Sequence, residues 1–234
     1  MKRRIMHRSR HIIFSSLFVA LCLGIGSSAV AQQDNTSFEF WPEVDVWTEL
    51  QPNLNLFFFE SITRARETRY TDAQTAGNLD YRWFPQAIYP MALAFRIGYS
   101  YSAELSQDPE PYTEHRAIAD FTPRYNISEK MILFDRNRVE FRWVNSDYSN
   151  RYRNRLRFEY RPTVRENLIT TYLSFEMVYD YSLHRWSRNY IQIGVEVPVA
   201  WYMSIELNYV RQNSIGSTAP GHVNSLGLVV AFFI

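Results

Sequence analysis

The chain has 234 residues, with 25 Lys and Arg against 24 Asp and Glu, a formal charge of +1, one cysteine, and 16 Tyr, 16 Phe and 6 Trp. That balance gives no bulk electrostatic reason to bind nucleic acid, and the length suits one domain behind a short processed segment. The aromatic excess favours strands and membrane interfaces over helices.

The first 31 residues read as a secretory signal peptide, in three parts: a basic head of Lys2, Arg3, Arg4, Arg8 and Arg10, an apolar stretch from Ile12 to Ile25, and a small-residue cleavage site at Ala29-Val30-Ala31. Cys22 lies inside the apolar stretch after the bulky Leu21, which argues against a lipid-attachment site. Removal of this segment takes away five cations and leaves residues 32 to 234, with 20 basic against 24 acidic residues, a charge of −4 and no cysteine. An exported chain of this size without disulfides needs a large core or a sheet closed inside a membrane.

Beyond residue 31 no apolar run is long enough for a membrane helix, and alternation with period two recurs instead. Eleven strands are read at about 43 to 50, 54 to 64, 78 to 84, 90 to 102, 115 to 126, 132 to 144, 153 to 162, 168 to 180, 186 to 198, 200 to 211 and 222 to 234. In the fourth, Leu93, Phe95, Ile97, Tyr99 and Tyr101 share one face and Ala94, Arg96, Gly98 and Ser100 the other. Aliphatic residues hold the strand middles. Tyr99, Tyr101, Trp143, Tyr160, Trp201 and Tyr209 lie near the ends, as in the aromatic girdles of an outer-membrane barrel.

The connections alternate between short ones, as at 51 to 53 and 198 to 200, and longer ones at 67 to 76, 103 to 114, 145 to 151 and 212 to 221. The fold class expected is therefore all-β: a single antiparallel up-and-down transmembrane β-barrel in the outer membrane of a Gram-negative bacterium. Bacterial single-chain barrels have even strand numbers, so an extra strand at 37 to 40, ended by Pro42, is expected to bring the count to twelve. Ten is the alternative if 78 to 84 is loop. The partners expected are outer-membrane lipids, the assembly machinery that reads the C-terminal strand, and a small solute; Phe232 and Phe233 precede the terminal Ile234.

The segments Phe40-Trp41-Pro42-Glu43-Val44-Asp45-Val46-Trp47, Asp135-Arg136-Asn137-Arg138-Val139-Glu140-Phe141-Arg142 and Asn154-Arg155-Leu156-Arg157-Phe158-Glu159-Tyr160 resemble the bacterial domain-of-unknown-function family 2490. The resemblance implies an outer-membrane barrel over nearly all of residues 32 to 234. It carries over no catalytic residues.

Strand parity assigns an unusually ionic lumen. Arg96, Arg116, Arg124, Arg138, Arg142, Arg155, Arg157 and Arg161 fall on one wall, against Asp120, Glu140 and Glu159. Glu43, Asp45, Glu49, Glu176, Asp180, Glu196 and Glu206 fall on the other, with Arg188 opposing. Charges in a narrow barrel must be paired or hydrated. The arrangement is either a salt-bridged plug or a narrow porin-like channel for small anionic solutes.

Two further readings follow from the same residues. A hydrolase acting on lipid or peptide at the outer rim would draw on His115, His184 and His222 with Ser182, Ser187 and Ser225. No His-Glu-x-x-His, Gly-x-Ser-x-Gly or phosphate-binding glycine loop supports it, and no cofactor or metal is expected. A soluble periplasmic ligand-binding barrel would turn Phe95, Phe141, Phe158 and Leu207 inward.

Overall fold

The computed structural model describes residues 36–65, 71–85, 90–105, 111–164, 167–215 and 221–234. The expected signal peptide, residues 1–31 with Cys22, lies outside the described residues. Among the described residues there is no helix. Eleven strands close one barrel: β1 (Thr36–Gln51), β2 (Leu54–Ala65), β3 (Thr71–Trp83), β4 (Met91–Glu104), β5 (Thr113–Asn126), β6 (Met131–Val144), β7 (Asp147–Tyr160), β10 (Thr170–Asp180), β11 (Arg185–Ala200), β12 (Met203–Ser214) and β13 (His222–Phe233). The short β8 (Thr163–Val164) and β9 (Asn167–Leu168) pair only with each other, so β7 and β10 are direct neighbours in the barrel.

Successive barrel strands are antiparallel, and the seam between β1 and β13 is parallel, running from Thr36 opposite His222 to Trp47 opposite Phe233. The count is eleven, which corrects both the expected twelve and the alternative ten. The residues expected to form an extra strand at 37 to 40 are the first part of β1, and Pro42 does not end it. Pro42 has no amide hydrogen, so the ladder to β2 skips Trp41 and Pro42 and resumes in unchanged register at Glu43 opposite Ser61. On its other side Pro42 stays opposite Leu228 of β13. Pro123 behaves alike in β5, paired with Leu93 of β4 and passed over by β6. With an odd number of strands in strict up-and-down order, the first and last must run the same way, which is what makes the seam parallel.

The expected alternation of connection lengths is also weaker than the sequence suggested. Asn145 and Ser146 take φ of 46° and 77°, the positive pair that a primed two-residue hairpin turn requires, and β7 starts at Asp147. Likewise β3 starts at Thr71, which shortens the connection expected at 67 to 76. One rim carries the Pro52–Asn53 and Trp201–Tyr202 turns and the chain end at Ile234. We call it the C-terminal rim.

Glycine sets the inner contour at two close approaches. A Cβ on Gly194 in β11 would lie 2.5 Å from the ring of Tyr172, its direct neighbour on β10, and one on Gly98 in β4 would collide with Asn78 of β3. Each missing side chain leaves room for a larger one to lie across the neighbouring strand.

Candidate functional site

Alternation sends one side chain of every two into the barrel. Arg96, Arg116, Arg124, Arg138, Arg142, Arg155, Arg157 and Arg161 are all half-buried or buried on the inner face of β4 to β7 and the residue after it. Glu43 and Asp45 of β1, Glu196 of β11 and Glu206 of β12 also face inward. Glu49 is exposed near the C-terminal rim.

The inner charges are grouped differently from two separate walls. Glu176, assigned by parity to the acidic wall, sits among three arginines: Arg136 at 2.6 Å, Arg155 at 2.5 Å, and Arg153 in a short contact. Asp180, assigned to the same wall, pairs with Arg151 at 2.9 Å. The reason lies in the register. Strands β7 and β10 are neighbours in a register that sets Glu176 directly opposite Arg155, and Asp180 opposite Arg151.

From Glu176 the ion pairs run on through Arg153 to Glu140 at 3.0 Å. Glu140 in turn lies 3.7 Å from Arg116, which holds Glu114 at 2.8 Å, and Arg142 grips the same Glu114. Arg138 meets Asp120 at 2.7 Å and Arg96 meets Asp80 at 2.7 Å, each in a two-pronged contact. Sequence parity had not singled out Arg136, Arg151, Arg153, Asp80 or Glu114. Arg151 and Arg153 continue the odd-numbered inner face of β7. Glu114 had been read as loop.

This network lies in a packed layer. Glu140 and Glu176 are each 1% exposed, and Asn78 on β3, Ser100 on β4, Val210 on β12 and Ser225 on β13 are buried with them. Their arginine partners keep more access to water, Arg153 18% and Arg155 26% exposed, so the ion pairs narrow the lumen here. Toward the C-terminal rim the lumen opens into a cavity of about 630 Å³. Its β5–β7 side carries Arg124, Arg136, Arg155, Arg157 and Arg161; its β1, β11 and β12 side carries Asp45, Glu196 and Glu206.

Aromatic faces position these groups. The Arg157 guanidinium lies 3.6 Å above the Tyr172 ring and that of Arg124 5.4 Å above Phe134. Tyr172 reaches across Gly194 to donate to Glu206 at 2.5 Å. Arg96 lies over Phe57, which stacks on Trp47 at 4.1 Å.

The outer face is the reverse of the inner one. Ile97 is 62% exposed and Ile193 57%, and Tyr99, Tyr101, Trp143, Tyr160 and Tyr209 are exposed toward the strand ends. Trp201, in its turn, is the most exposed aromatic among the described residues at 90%. Phe95, Phe141, Phe158 and Leu207 are exposed on this outer face, opposite to the inward placement that a soluble ligand-binding barrel requires. One patch departs from the pattern. Asp135 and Asn137 on β6 and Tyr152 and Asn154 on β7 face outward at mid-strand, joined by hydrogen bonds from Tyr152 Oη to Asn137 at 2.6 Å and from Asn154 Nδ2 to Asp135 at 2.6 Å.

Three histidines had been considered with nearby serines. His115 stands on the outer face of β5, hydrogen-bonded to Tyr99 and packed against Tyr101. His184 lies in the β10–β11 turn, where Ser182 hydrogen-bonds Asp180, and Ser225 is fully buried. Among the described residues no histidine is hydrogen-bonded to a serine, and no three His, Cys, Asp or Glu side chains are grouped to hold a metal ion.

A family model described as "Protein of unknown function (DUF2490)" matches residues 35–220. No curated protein matches the chain.

Proposed function

The chain belongs to the DUF2490 family of unknown function, and from that premise we propose that it is an integral barrel of the bacterial outer membrane, delivered there by a cleaved signal peptide. One observation carries the reading: large apolar side chains cover the outer face of the barrel and are exposed, while carboxylates and guanidinia fill its interior and are buried. In water this arrangement would expose the apolar face and desolvate the ions together, and both terms oppose folding. In a bilayer the outer face meets hydrocarbon and the strands, 11 to 16 residues long, are long enough to cross at a tilt.

Within that reading the lumen is shut. A conducting pore needs an open path of water, and the ion pairs that converge on the buried Glu140 and Glu176 support a lumen crossed by side chains. The favoured role is a closed envelope barrel with a blind aqueous vestibule at the C-terminal rim, and the narrow anion channel is the second reading.

Fractionation of cells followed by electrophoresis with and without boiling tests the membrane assignment. An outer-membrane barrel stays in the envelope pellet and migrates differently before and after heating. Recovery of the folded protein from the soluble fraction without detergent would overturn the assignment. Discrete conductance steps from the folded wild-type protein in planar bilayers would replace the closed barrel by the channel.

A further inference from the structure

We infer that the vestibule is a binding site for a small zwitterion, a molecule carrying a phosphate or carboxylate at one end and an ammonium at the other. The inference rests on the closed-barrel reading, since a blind cavity holds its ligand and an open pore passes it on.

The cationic side has more charge than its own carboxylates neutralise. Glu159 is the ion-pair partner of both Arg157, at 2.8 Å, and Arg161, at 2.7 Å. Arg124 has no carboxylate in ion-pair contact: Glu159 attracts it from a distance, and the like charges of Arg161 and Arg82 crowd it. Its Nε is buried without a hydrogen-bond partner. Because Phe134 and Tyr172 cover the faces of Arg124 and Arg157, only the edges of those guanidinia, where the N–H donors lie, remain to take a ligand. Planar edge donors of this kind match the oxygens of a phosphate or carboxylate.

The opposite side has the reverse imbalance. Glu196 and Glu206 line it, half-buried, and neither is in ion-pair contact with an arginine. Glu206 is held by Tyr172 and Asn208, and Glu196 by Ser204, so neutral donors fix both carboxylates in place. Carboxylates without an arginine partner and a guanidinium without a carboxylate partner thus line opposite sides of a single cavity. A simple anion would leave the carboxylates unanswered, and a simple cation the arginines. A volume of about 630 Å³ fits a small metabolite or a lipid headgroup.

Isothermal titration of the detergent-folded protein tests the proposal with three probes: phosphoethanolamine, inorganic phosphate and ethylammonium. Phosphoethanolamine should bind at least about tenfold more tightly than either single-charge probe. Glu206→Gln should weaken phosphoethanolamine about tenfold and leave phosphate unchanged or tighter, whereas Arg124→Gln should weaken both phosphoethanolamine and phosphate.

Equal binding of phosphate and phosphoethanolamine, or no response to Glu206→Gln, would overturn the zwitterion. Each variant is first checked for heat-dependent migration. A barrel that shows the shift without binding refutes the site alone, and loss of the shift in the wild type refutes the barrel reading beneath it. Nanodiscs with and without phosphatidylethanolamine separate the two sources. If the lipid headgroup is the occupant, its presence abolishes the heat of added phosphoethanolamine; if a free solute is, the heat is unchanged.

Discussion

Arg138 on β6 and Asp120 on β5 stand directly opposite each other in the ladder and meet fork to fork, with N to O distances of 2.7 and 2.8 Å. The carboxylate is nearly inaccessible to water. Removing only the anion leaves the Arg138 guanidinium, 12% exposed, with the looser Glu140 contact at 3.8 Å, so Asp120→Asn should destabilise by about 1–3 kcal/mol in urea titrations of the folded protein. The double variant Asp120→Leu with Arg138→Met should recover most of that loss, because an apolar pair needs no compensating charge. An additive loss in the double variant would show that the pair does not act as a unit.

The packed layer makes a prediction about permeability. Wild-type protein in planar bilayers should show no discrete steps. Shortening Glu140, Arg153 and Glu176 together to serine removes the bulk and the charge that fill the middle of the barrel, and should produce stepwise currents. A silent triple variant that keeps its heat-dependent migration would place the closure in another layer.

Gly194 predicts the opposite kind of failure, from added volume. In Gly194→Ala the new methyl occupies the space of the Tyr172 ring, which must swing away from both Arg157 and Glu206. The expected cost is about 1–3 kcal/mol in unfolding free energy. Tyr172→Ala in the same background should abolish the additional cost of the methyl, since the space is then vacant. An unchanged stability in Gly194→Ala alone would contradict the close approach.

The outer face supplies a paired test of the lipid assignment. Ile193→Arg places a cation at the middle of the exposed apolar belt and should destabilise the barrel in bilayers by about 2–4 kcal/mol. Asp135→Leu acts in the reverse sense. It removes an outward carboxylate at mid-strand, and should raise stability in bilayers more than in urea-free detergent micelles, as refolding yields would show. Equal tolerance of arginine at Ile193 would argue that this face meets water.

Much of this arrangement was legible from period-two alternation. The outward Phe95 and inward Arg96, or the outward Phe158 and inward Arg157, follow from parity alone, because a strand offers its two faces to different surroundings. What parity cannot supply is the register between neighbouring strands. Glu176 reads as acidic-wall material although strands 153 to 162 and 168 to 180 are expected neighbours, and the register that sets it opposite Arg155 makes it the hub of three arginines.

Turn chemistry hid more. Ser146 is not a residue that announces a positive φ, so the tight turn with Asn145 was read as a long loop, and the inward Arg151 and Arg153 fell near or inside it. Pro42 misled in the opposite direction. Its missing donor signals the end of a strand, yet a strand with a second neighbour can skip two rungs on one side and continue.

The parallel seam carries a consequence for labelling. Since β1 and β13 run the same way, the residue where β1 starts and the residue where β13 stops stand at opposite rims. In an even-stranded barrel both ends would emerge on one side, and two affinity tags would report on the same compartment. Here a tag ahead of Thr36 and a tag after Ile234 address opposite sides of the proposed membrane. Intact cells treated with an impermeant protease should lose one epitope and keep the other.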